Sequence, residues 1–180
     1  VPLTVLEGGS KKKGAKSSAA LTRQVLVKTL IGEQEVRYRE WVRTNMKSVD
    51  SLTAGRVGYL HLPDMSTHGI AEFHRGYLAQ VDREGLIVDV RYNAGGMVSP
   101  LILEKLAHRH LGYDVPRWGS PESYPYHTLR GHLIVIANQF TGSDGDMFTT
   151  SFRQLQLGPL VGKRTWGGVI GIDGRYQLVD

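Results

Sequence analysis

The chain has 180 residues, 41% of them hydrophobic, which is enough for one ordinary core. It has no cysteine, which excludes disulfide and thiolate chemistry, and no H-E-x-x-H pattern, so no protein-built metal site is expected. The formal charge is +5, but Lys11, Lys12, Lys13 and Lys16 share one patch without an aromatic neighbour, and removing those four leaves +1. A nucleic-acid footprint would spread its basic residues over a face with stacking aromatics between them, so no nucleic-acid partner is expected.

No apolar run is long enough to cross a membrane, no secretory signal opens the chain, and no Asn-x-Ser/Thr sequon occurs. These features point to a cytoplasmic setting and no membrane partner.

At the N-terminal end, "VPLTVLE" and "TRQVLVKTL" alternate apolar and polar residues on either side of "GGSKKKGAKSSA", as two strands of a hairpin with a solvated loop would. From Gln34 to about Val49 the period changes: Tyr38, Trp41, Val42 and Val49 recur on one helical face. "RVGYLHL" reads as a short strand stopped by Pro63 and Asp64, and Ile70, Phe73, Tyr77 and Val81 then follow helical spacing.

"GLIVDVR" and "HLIVIAN" are nearly continuous apolar runs, as expected of strands buried on both faces. Between them, Ser99 and Pro100 read as an N-cap and first-turn pair for a helix running to about His110. A helix to about Leu155 follows the second buried strand, and "GPLVGKRTWGG" and "GRYQLVD" read as strands. Strand and helix alternate, so the bulk of the chain is expected to be α/β with a layered core.

Two loops each follow a buried strand and open a helix, the usual place for ligands in an open α/β sheet. The first, "RYNAGGMVSP", can be a tight glycine turn or a weak phosphate-binding signal; no G-x-G-x-x-G or Walker lysine accompanies it. In the second, "NQFTGSDGDMF", Ser143 and Asp146 have the spacing of an S-x-x-D capping box, with acids suited to a helix start. The same residues fit a nucleophile at a sharp strand-to-helix turn. Flanking glycines let the backbone turn and a substrate approach, and amides at the helix start can hold an oxyanion. The G-x-S-x-G pattern is met only in part, as Gly-Ser-Asp-Gly. Asp114, just before a proline in "LGYDVPR", reads as a turn aspartate.

Taken in order, "GRVGYLHLPDM", "GLIVDVRYNAGG", "LGYDVPR", "GSDGDMFTTSF" and "GKRTWGGVIGI" resemble successive motifs of the tricorn-type serine peptidases, relatives of the C-terminal processing peptidases. The resemblance covers roughly residues 30 to 180, and "RYREWVRTN" fits the helix leading from that family's PDZ domain into its catalytic core. It implies a layered α/β core of the ClpP/crotonase type, preceded by a β-hairpin from a PDZ-like module. The implied division is residues 1–32 for the end of the PDZ-like domain, 33–55 for a linking helix and 56–180 for the peptidase core.

By the same resemblance Ser143 falls on the nucleophile, the amides of Gly96 and Asp144 on the oxyanion hole, and Asp114 on an acid favouring basic residues on the acyl side of the cut. The implied partners are peptide substrates and further copies of the chain, as a hexamer, and the implied chemistry needs no metal or organic cofactor. None of the seven histidines matches the family's base, and the completing histidine and glutamate would lie outside these residues. The chain then reads as an internal piece of a longer protein, inactive alone because a serine hydroxyl without a base is a weak nucleophile. Two other readings stand beside this one: a Ser/Lys peptidase using Lys163, although glycine occupies the position after Thr165-Trp166-Gly167, and a non-catalytic peptide-binding module of the same fold.

Overall fold

The computed structural model describes residues 2–6, 22–29 and 31–171. The lysine-rich stretch read as a hairpin loop and the terminal "GRYQLVD" lie outside them. The chain divides into two compact units, Val1–Arg39 and Glu40–Asp180, with the boundary inside one helix.

In the first unit, β1 (Pro2–Leu6) and β2 (Thr22–Leu26) pair antiparallel, with Pro2 opposite Leu26 and Leu6 opposite Thr22. The helix α1 (Gln34–Leu52) carries Glu33–Arg37 and Glu35–Arg39 ion pairs one turn apart at 2.6 Å. Both pairs are exposed and stabilise the helix by only a few tenths of a kcal/mol, roughly 0.3–0.5 each. Tyr38, Trp41, Val42 and Val49 are among its half-buried positions, as their spacing predicts.

The second unit is built on a four-stranded, wholly parallel sheet ordered β3-β4-β7-β8: β3 (Val57–His61), β4 (Gly85–Asp89), β7 (His132–Ala137) and β8 (Leu160–Gly162). The helices α2 (Thr67–Leu78), α3 (Ser99–Ala107) and α4 (Asp144–Gln154) supply the crossovers that parallel strands require. Successive residues of β4 are buried (Leu86, Val88 and Asp89 are at 0% exposure), so both faces of this strand are covered. Phe73 and Tyr77 of α2, Ile102 of α3, and Phe148 and Phe152 of α4 complete one core with Leu86, Val88, Val90 and Val135.

Three local expectations are corrected. Ser99 is the first helical residue of α3 and Val98 the N-cap, and α3 ends at Ala107 rather than near His110. Asp114 is a strand residue: β5 (Gly112–Asp114) pairs antiparallel with β6 (Glu122–Tyr124), a two-stranded unit too short and polar for its period to show. In "GPLVGKRTWGG" only Leu160–Gly162 is strand, and the segment from Lys163 continues as irregular chain back over the start of α4.

Candidate active site

The C-terminal ends of β4 and β7 are adjacent because the two strands pair in register, Asp89 opposite Ile136. Their loops therefore leave the sheet side by side. The base of the first is set by charge. Asp89 is fully buried and accepts from Arg91 at 2.5 Å and 2.9 Å and from the Tyr59 hydroxyl at 2.8 Å. Bonding to Asp89 raises the Arg91 guanidinium's affinity for its proton, while burial together with the adjacent carboxylate pushes the Tyr59 phenol up. The Arg91 guanidinium also lies 5.0 Å from the Trp41 ring centre.

Asn93 then ties the two loops together. It is fully buried; its amide donates to the Leu62 carbonyl at 2.8 Å, its side-chain oxygen accepts from the Gly95 N–H at 2.9 Å, and its main-chain oxygen accepts from the Gly142 N–H at 3.0 Å. No sequence pattern pointed to this residue, because its partners lie 31 and 49 positions away as well as beside it. Its place in "NAGG", between a buried strand and two glycines, was the available signal.

Gly95 and Gly96 have φ of +86° and +150°, a backbone that side chains rarely adopt. Space is equally restrictive. A Cβ on Gly95 would stand 2.5 Å from the Ser143 Cβ and 3.1 Å from the Asp144 nitrogen, and one on Gly96 would strike the Met65 backbone. The Met65 main chain brackets the loop, donating to the Gly95 carbonyl at 2.7 Å and accepting from Met97 at 2.7 Å.

Ser143 lies at φ 55° and ψ −121°, a strained backbone for a residue with a Cβ. It stands where an N-cap would, yet its side chain makes no capping bond. The S-x-x-D capping box is thus not formed. Asp146 instead uses Oδ1 to accept from the Gly167 N–H at 2.8 Å, and its Oδ2 is buried without a partner among the described residues. The carboxylate of Asp144 accepts from Ser99, at 3.0 Å from its N–H and 2.5 Å from its hydroxyl. The amides of Gly96 and Asp144 donate to no acceptor among the described residues. Ser143 is half-buried, and its hydroxyl has no hydrogen-bond partner there either. A groove of about 490 Å³ runs from Asp144 between α3 and α4, past Leu103, Met147 and Leu155.

The structure therefore brings Ser143, Gly96 and Asp144 to one place. Asp114 is exposed on β5, and the hydrogen bond its carboxylate accepts comes from the Tyr126 hydroxyl at 3.3 Å. Lys163 donates its amide to Ala137 at 3.1 Å and lines a cavity of about 540 Å³ with Arg153 and Arg164, one that Ser143 does not line. No histidine bonds Ser143 among the described residues. His61 is buried with its Nε2 2.7 Å from the Arg91 carbonyl, and burial lowers its pKa. His68 sits on α2 beside Asp64 at 3.2 Å. No helix in the described residues is long and apolar enough to cross a membrane, and no group of three potential metal ligands occurs among them.

The chain is 52% identical over 158 residues to the tricorn protease of Thermoplasma volcanium and 49% identical over 164 residues to tricorn protease homolog 1 of Streptomyces coelicolor. These matches cover 88% and 91% of this chain but 15% of each relative, so the chain spans about a seventh of the relatives' length. A crystal structure of the tricorn protease superposes with a TM-score of 0.83 at 45% identity, covering 90% of this chain and 16% of that one. With residues 56–180 matching the model of peptidase family S41, the chain belongs to that family.

Proposed function

We propose that this chain carries the nucleophile and the oxyanion hole of a tricorn-type serine endopeptidase. The observation that carries the reading is the strained, uncapped Ser143 beside the unpaired amides of Gly96 and Asp144. A cap would have used its hydroxyl and relaxed its backbone; this serine does neither.

In the proposed reaction the Ser143 hydroxyl loses its proton to a general base as its oxygen attacks the peptide carbonyl carbon. The carbonyl π pair moves onto oxygen, where the Gly96 and Asp144 amides stabilise the developing charge; one such donor contributes roughly 10²–10³-fold in rate. The C–N bond then breaks, the leaving amine takes the proton, and water releases the acyl group by the reverse sequence. The base is proposed to lie outside residues 1–180: no histidine bonds Ser143 among the described residues, and Lys163 lines a cavity that Ser143 does not. Residues 1–180 alone are accordingly expected not to hydrolyse peptides.

Asp114 is the proposed selector for basic side chains. Its register partner across the hairpin is Glu122, and carboxylates placed opposite each other repel, a cost that suits a surface kept for a cation. The working protein is proposed to be a homo-oligomer, a hexamer, acting on peptides in the cytoplasm, with residues 1–32 closing a PDZ-like domain.

The test is fluorophosphonate labelling of the full-length protein, with the modified peptide mapped by mass spectrometry. A label on Ser143 that Ser143→Ala removes is expected. A folded full-length protein that takes no label would overturn the reading and leave a peptide-binding module in its place.

A further inference from the structure

The segment after β8 returns to the Ser143 turn and is pinned there twice. The Trp166 N–H donates to the Thr141 carbonyl at 2.9 Å, and the Gly167 N–H donates to Asp146 Oδ1 at 2.8 Å. Thr141 and Asp146 bracket Ser143, so the indole between these two anchors is held against the turn itself. A Cβ on Gly142, the residue before Ser143, would stand 2.8 Å from Cε3 of the ring. One on Gly168 would run into the same ring. The indole thus occupies space that two glycines leave open.

It is nevertheless 69% exposed. A tryptophan packed for stability turns its large apolar surface inward, as Phe148 and Phe152 do a turn or two along α4. This one is fixed at its base and open at its face.

The sheet order puts β8 on the far side of β7 from β4, so Gly96 and Trp166 reach Ser143 from opposite flanks.

We propose that Trp166 is a specificity-determining residue, its exposed indole forming the wall of a subsite that takes an apolar or aromatic side chain next to the scissile bond. The inference rests on the serine-peptidase reading of Ser143. Its physical basis is apolar area removed from water against a ring whose backbone is already anchored on both sides, which lowers the ordering cost of binding.

The experiment uses the full-length protein, wild type and Trp166→Ala, on peptide sets in which the residue on each side of the cut is varied among glycine, leucine and phenylalanine. In the wild type, kcat/KM is expected to favour leucine or phenylalanine over glycine on one side by about tenfold or more, and in Trp166→Ala that ratio is expected to fall to about two or less. Trp166→Phe keeps a ring and is expected to retain most of the preference. Trp166→His, which keeps a flat ring but adds polarity, reads the same ratio if the alanine variant does not fold. A ratio unchanged in folded Trp166→Ala or Trp166→His overturns the proposal. Wild-type protein that neither cleaves any peptide nor labels with fluorophosphonate overturns the reading beneath it instead.

Discussion

The Asp144 carboxylate accepts both the main-chain N–H and the hydroxyl of Ser99, at 3.0 Å and 2.5 Å. One acid thereby joins the first turns of α3 and α4, 45 residues apart, and anchors the residue that follows Ser143. Asn93 makes a second tie between the two loops, from the start of the first to the Gly142 N–H just before Ser143.

Ser99→Ala should reduce kcat about tenfold in the full-length protein with KM little changed, because the amide of residue 144 remains but is less well aimed. Asp144→Asn should act similarly, and the double variant should be little worse than either, since both remove one coupling. Additive losses measured by steady-state kinetics would mean that the two side chains act separately.

Asn93→Ala leaves the Leu62 carbonyl and the Gly95 N–H without partners in a fully buried place. The expected loss is about 2–4 kcal/mol in a urea titration. Fluorophosphonate reactivity at Ser143 should fall in the fraction that stays folded.

Arg91→Ala strips the counter-charge from buried Asp89 and should cost about 3 kcal/mol or more. Arg91→Lys should recover only part of this, because an ammonium cannot make the two-nitrogen contact that Arg91 makes. Paired denaturation curves of the two variants check both statements.

Ser143→Gly should stabilise the fold by about 1 kcal/mol, since glycine adopts φ 55° and ψ −121° without strain. Ser143→Ala keeps a Cβ and should not stabilise. Both abolish labelling. A glycine variant no more stable than the alanine variant would remove the argument that the turn is held strained for reaction.

His61 supplies a pH dependence. Burial lowers its pKa, opposed in part by its bond to the Arg91 carbonyl, so the folded chain binds this proton less readily than the unfolded chain. Its contribution to stability is present above the ordinary histidine value near 6.5 and is lost as pH falls from there through the lowered folded value. Melting temperatures taken from pH 7.5 to 5 should fall, and His61→Gln should flatten that part of the curve.

Much of the scaffold was legible in the chain itself. The apolar runs of β4 and β7 and the helical spacing of Phe73 and Tyr77 report burial through local period alone, and the alternation of strand and helix implied a layered α/β core. The motif order singled out Ser143, Gly96 and Asp144 as candidates. Local pattern failed where the partner is distant. Ser99 looked like a cap, yet its hydroxyl serves an acid from another helix, and Asp146 looked like half of a capping box, yet it holds the backbone at Gly167. Asp114 looked like a turn residue because three-residue strands are too short to show alternation.

What the sequence determined by itself is therefore the set of elements and the chemistry available at their ends, because hydrophobic period and glycine placement act over a few residues. The tertiary structure alone decided which amides are left unpaired beside Ser143, that Asn93 and the Ser99–Asp144 pair hold them there, and that Trp166 stands open against the turn. Those outcomes depend on strand register and on hydrogen bonds between loops dozens of residues apart, and such bonds leave no period in the chain.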